Sequence, residues 1–150
     1  MTVKFEGGKE LEKALMELKN TTAKATVRRA GKKALIPLRD KAIALAPYNS
    51  ASGADGHVKD EIHISTKAAK GTRKKSQVEV YCGVATSQGH VGSLQEFGTA
   101  HHGPQPFMRP AWDGLKMTVL TRFRDEMWTE VRKSAERQRR KAKKQFGGNP

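Results

Sequence analysis

A chain of 150 residues fits one domain, but a formal net charge of +14, 36% apolar residues and 6% aromatics argue against a large self-sufficient core. They favour an acidic partner, or one that covers part of the surface. Cys82 is the only cysteine, which excludes a disulfide framework and a cysteine-based metal site. No stretch approaches the ~18 consecutive apolar residues of a membrane helix. The opening MTVKFEGGKE has no basic region running into an apolar one, so no secretory signal is expected.

Val3 and Phe5 alternate with polar residues until Gly7-Gly8, which predicts a short N-terminal strand. Residues 9–46 read as helix, because Leu11, Leu15, Leu18, Ala25 and then Ala34 to Leu38 recur at three- and four-residue spacings between charged residues. Unbroken, such a helix would run to ~55 Å. A kink or break is expected just before Pro37, and Asn20-Thr21-Thr22 is a second weak point. Its alanine-rich stripe favours close approach of another helix, and the plainer expectation is that it packs on the protein's own sheet.

Pro47 ends the helix, and YNSASGADG at 48–56 is loop by composition. Residues 57–66 alternate through Val58, Ile62 and Ile64, and residues 78–84 through Val78, Val80, Cys82 and Val84. Two antiparallel strands joined by the basic connection 68–77 fit both, with Glu79 and Tyr81 facing outwards. Cys82 reads as a small buried apolar residue. Residues 85–92 read as loop, and Leu94 to Phe97 as a third short strand stopped by Gly98.

Residues 93–112, SLQEFGTAHHGPQPFMRPAW, hold Pro104, Pro106 and Pro110, half of the six prolines. Each fixes its own φ and pushes the preceding residue towards extended geometry, so a stiff arm that ends by starting a helix is expected. Pro110 suits a first helical turn. Leu115, Val119, Phe123, Met127 and Val131 then fall four apart, widened by Trp112, Leu120 and Trp128. From 132 to 144 the stripe gives way to RKSAERQRRKAKK, whose like charges repel, so fraying is expected there without a partner.

The string EFGT at 96–99, followed by PFMRPAW at 106–112, resembles the head–tail joining proteins (neck, tail-completion or minor tail components) of long-tailed, lambda-like bacteriophages. Ala46-Pro47, Gly53, Glu96 to Thr99 and Pro106 to Ala111 match that pattern in order. Val58, where the family more often has Leu before a basic residue, and the GADGH insert after Gly53 depart from it. The resemblance implies a structural virion protein at the head–tail junction, held in the host cytoplasm before assembly, with no reaction and no cofactor. It further implies a ring around the DNA channel, hexameric in first choice with twelve copies as the other option. Neighbours would be connector, tail-terminator or tail-tube proteins. In that account the arm clasps adjacent copies through Glu96, Phe97, Pro106, Phe107, Met108, Arg109, Pro110 and Trp112, with Arg109 paired to an acid such as Glu96. The alternative for Phe97 and Phe107 is anchorage in the chain's own core.

Other site chemistries find little support. Asp55, Asp60 and Glu61 flank a loop with no nucleophile placed against them. His101-His102 with His90 or His57 lacks metal-ligand spacing, so no metal site is expected and a hydrolase built on them is a remote reading. The runner-up function is a small sequence-independent DNA-binding protein. Its contacts would be Arg73, Lys74, Lys75, Arg137, Arg139, Arg140, Lys141, Lys143 and Lys144, which could equally meet an acidic protein or the packaged DNA. The expected fold is α+β: a small antiparallel sheet packed with a long N-terminal and a C-terminal helix, joined by a proline-rich arm. One domain over 1–131 would carry a basic extension over 132–150.

Overall fold

A computed structural model describes residues 8–16, 18, 20–48, 56–66 and 78–146. The expected N-terminal strand at Val3 and Phe5, the loop tip 49–55 and the basic connection with Arg73, Lys74 and Lys75 lie outside the described residues. The architecture is α+β. Helices α1 (Gly8–Met16), α2 (Asn20–Ala34) and α3 (Ile36–Leu45) are followed by a 3₁₀ turn (Val58–Glu61) and strand β1 (Ile62–Ser65). Strand β2 (Tyr81–Val84), helix α4 (Gly89–Phe97) and the 39-residue helix α5 (Met108–Phe146) complete the order.

The long N-terminal helix is broken just before Pro37, as expected, and again between α1 and α2. Pro37 has no N–H to give the Lys33 carbonyl, so α2 ends at Ala34 and Pro37 becomes part of the first turn of α3. The bend is shallow: Leu35 keeps helical angles and its N–H still reaches the Gly31 carbonyl at 3.2 Å. The other break falls before residues 20–22, which form the first turn of α2 rather than interrupting it. Pro47 stops α3, whose last N–H, that of Ala46, reaches the Ala42 carbonyl at 2.8 Å.

Strands β1 and β2 pair antiparallel, with Ile62 opposite Val84 and Ser65 opposite Tyr81. Ile62 is buried while His63 and Tyr81 are exposed, so only one face of this two-stranded sheet enters the core. The alanine stripe takes both expected partners, the sheet and another helix. Ala34, Leu38, Ala42 and Ala46 pack with Val58 and Ile62 but also with Phe107, Ala111 and Val119 of the arm and α5. Small side chains four residues apart let α5 approach closely. A second cluster joins Leu11 of α1 and Ala30 of α2 to Met127 and Val131 of α5.

Helices α2 and α5 run antiparallel along a polar ladder. Thr26 Oγ1 lies 3.0 Å from Ser134 Oγ. Arg29 Nε donates to Glu130 Oε2 at 2.6 Å, and Lys33 Nζ donates to Glu130 Oε1 at 2.9 Å and to Glu126 Oε2 at 3.1 Å. Thr26, Glu130 and Ser134 are buried, so each needs its partner. Helix α5 continues to Phe146, past the end of its apolar stripe, where fraying was expected. Ser134 is held at Thr26 rather than released to solvent.

One element differs in kind. Residues 89–97, read as loop and strand, form helix α4. A Cβ on Gly92 would sit 2.9 Å from Val84 Cγ2, so the glycine that suggested a loop is what lets the helix lie flat on β2. The short strand expected at Leu94 to Phe97 has no apolar face to bury, since Leu94 and Phe97 are both exposed.

Hydrogen bonds from Arg29 and then Lys33 hold the Glu130 carboxyl at about 2, against an ordinary 4.5. A carboxyl depressed on folding stabilises the native state above its unfolded pKa, and that contribution is lost as pH falls through the folded value. Glu130→Gln should therefore cost about 1–2 kcal/mol at neutral pH in urea titrations. It should also flatten the loss of stability of the parent protein between pH 4.5 and about 2. An acid limb identical in the two proteins would contradict the ladder.

Candidate assembly interface

The arm between α4 and α5 is shaped by one glycine and one carboxylate. Gly98 closes α4 with φ +77°, its N–H on the Leu94 carbonyl at 2.8 Å. A Cβ there would meet the His102 carbonyl oxygen and Pro104 N, both at 2.9 Å, so both backbone angle and space demand glycine. Thr99 N–H then bonds the His102 carbonyl at 2.8 Å, and Gln105 N–H bonds the Gln95 carbonyl at 2.7 Å. The arm thus turns back along the helix it has just left.

This reversal brings the start of α5 onto Glu96. Glu96 Oε2 accepts the N–H groups of Phe107 and Met108 at 2.8 and 3.0 Å, and Oε1 accepts that of Arg109 at 3.1 Å. Pro110 has no N–H, so the first turn of α5 has no donor left over. Arg109 completes the knot, its Nε on Glu96 Oε1 at 3.0 Å and its Nη2 on the Glu96 carbonyl at 2.9 Å. The carboxylate also faces the positive end of the helix dipole. Burial by itself would raise the Glu96 pKa. The N–H groups of Phe107, Met108 and Arg109, with the Arg109 side chain, outweigh it and hold the carboxyl below its usual value.

The expected clasp residues therefore divide into two sets. Phe107 is 1% exposed and lies in the core, and Glu96 is buried at 6%. The core reading of Phe107 applies: its ring is spent inside the chain and offers nothing to a neighbour. Phe97 is 69% exposed and Trp112 48%. Arg109 lies over the Phe97 ring, 4.7 Å from its centroid, and so fixes the plane of that aromatic. Met108 is half-buried, while Pro106 and Pro110 are at the surface.

Two grooves flank this knot. One, about 590 Å³, is walled by Leu35, Leu38, Val80, Cys82 and Trp112. The other, about 480 Å³, lies between Val84, Gly92, Phe97 and Phe107. Met108 and Arg109 belong to both walls and separate them. Burial pushes the Cys82 thiol pKa up, while the charges of Arg39 and Asp40 act in opposite directions, so the thiol stays protonated in its apolar wall.

Elsewhere, Arg137, Arg140, Lys141 and Lys144 line a groove with α2, which Arg139 and Lys143 do not line. His90, His101 and His102 are exposed, and the His57 ring lies 4.3 Å from that of Tyr48. Among the described residues no group of three His, Cys, Asp or Glu could hold a metal ion, and no helix is long and apolar enough to cross a membrane. Sequence reading missed the capping role of Glu96 towards three backbone N–H groups. A carboxylate before a Pro-Phe-x-Arg-Pro helix start was its one visible sign.

Residues 9–98 match the HK97-gp10-like family model, described as "Bacteriophage HK97-gp10, putative tail-component". The match covers more than half of the chain and ends at Gly98, so the arm and α5 lie beyond it. No curated protein and no solved structure gives a significant match.

Glu96→Ala leaves three N–H groups uncapped and should cost about 2–3 kcal/mol in thermal or urea unfolding, with Glu96→Gln costing less. Amide exchange at residues 107–109 should accelerate in Glu96→Ala while that of α2 is unchanged. Unaltered protection at those amides would refute the capping role.

Proposed function

The chain belongs to the HK97-gp10-like family of bacteriophage tail components, and on that premise we propose that it acts in head–tail joining as a ring-forming connector. Its role in the virion is structural. The ring would surround the DNA channel at the head–tail junction, hexameric in first choice or with twelve copies, against connector, tail-terminator or tail-tube neighbours.

The observation that carries this reading is the exposed pair Phe97 and Trp112 beside two apolar grooves, with Phe97 held under Arg109, itself paired to the buried Glu96. Large aromatics exposed at a surface, next to apolar grooves, suit a contact in which one copy's protrusion enters the next copy's groove. Such a contact is heterologous, and repeated by rotation it closes into a ring. Aromatic anchors of this kind dominate interface energetics. Rigid anchoring lowers the entropy lost on docking, since Arg109 already orders Phe97 before any neighbour arrives. The reading needs no reaction: burial of apolar surface is its only driving force.

Electron microscopy of the assembled particle tests it directly. The expected outcome is a closed ring of copies at the head–tail junction, with Phe97 and Trp112 buried between neighbours. Phe97→Ala combined with Trp112→Ala should prevent ring incorporation while circular dichroism remains that of the parent. A location away from the junction, or full incorporation of the double variant, would overturn the proposal.

A further inference from the structure

The remaining unexplained feature is the end of α5. Residues 132–144 carry eight basic side chains and one acid, which is half of the chain's net charge of +14. Four of them, Arg137, Arg140, Lys141 and Lys144, recur one helical turn apart and so share a face of the helix. That face looks across to the first half of α2. With Thr22, Ala25, Arg29, Ser134 and Gln138 the four line a groove of about 660 Å³. Arg29 is already committed to Glu130 at 2.6 Å. Among the described residues none of the other four lies within ion-pair distance of a carboxylate, and the one acid of the stretch, Glu136, does not line the groove.

We propose that this groove holds the phosphodiester backbone of duplex DNA, without regard to sequence. Four unpaired cations spread over two helical turns of about 5.4 Å each suit a linear polyanion with regularly repeated charges. Residues 132–144 offer a protein partner no aromatic, Leu, Ile, Val or Met to anchor on. Protein interfaces depend on buried anchors of those types. Single-stranded nucleic acid is equally disfavoured, since no aromatic lines the groove on which a base could stack. What remains is electrostatic contact with phosphates, in which the cations displace condensed counterions. The groove lies on residues other than the Phe97–Trp112 surface, so the inference stands whether or not that surface closes a ring.

The test is titration of a fluorescent mixed-sequence DNA duplex with the full chain at several salt concentrations. Four phosphate contacts predict a slope of log affinity against log salt near −3.6, a loss of roughly 10²-fold between 50 and 200 mM salt. Replacing Arg137, Arg140, Lys141 and Lys144 together by Gln should remove most of that slope. Replacing Arg132, Lys133, Arg139 and Lys143 by Gln alters net charge equally and should leave most of it, with circular dichroism verifying helix content in both. Equal losses in the two variants would mean that overall charge rather than the groove binds DNA, and would overturn the assignment. So would a poly-glutamate peptide that displaces the duplex at equal charge concentration, because the site would then serve an acidic protein.

Discussion

The carboxylate of Glu96 sits where three segments meet, and the geometry of the C-terminal half follows from its position. It is buried, ionised and shared among three backbone N–H groups and one guanidinium. A buried charge is tolerable only when so fully satisfied. The arm must therefore turn at Gly98 to deliver residues 107–109, and α5 must begin where that delivery ends. The core residue Phe107 enters its place through the same contact, since its N–H and its ring are fixed together. Aromatics, grooves and the orientation of α5 are all consequences of satisfying one side chain.

Along the rest of α5 a different device sets position. Apolar packing through alanines leaves two helices free to slide, because small side chains give shallow ridges. The ladder of Thr26 with Ser134, Arg29 with Glu130, and Lys33 with Glu130 and Glu126 removes that freedom. Sliding by one turn would take one of its two cations away from the buried Glu130 and separate Thr26 from Ser134, a cost that packing of small side chains does not offset. The protein thus uses apolar contact for adhesion and buried polar contact for register.

Periodicity made the helical parts legible: Leu11 to Leu38, the break before Pro37, and the stripe from Leu115 to Val131 follow from local rules that tertiary contacts did not override. The alternating strands were readable in part: Ile62–Ser65 and Tyr81–Val84 pair as expected, whereas Val58 lies in a 3₁₀ turn and residues 78–80 precede the second strand. Helix α4 was not. Gly89 and Gly92 signal a loop when viewed alone, and only the approach to Val84 explains why a glycine is tolerated in a helix there. The Arg109–Glu96 pair was legible through the resemblance, but the capping of three N–H groups was not. That capping depends on a chain reversal that no spacing along the sequence encodes. Phe107 illustrates the remaining ambiguity, for an aromatic beside prolines reads the same whether it enters its own core or a neighbour's.

Helix α5 is electrically polarised, neutral and apolar near its root and strongly cationic at its tip. Residues 108–131 carry four basic and four acidic side chains, whereas 132–144 carry eight and one. Added salt should therefore relax the like-charge repulsion of the tip while leaving the root, whose charges cancel, almost untouched.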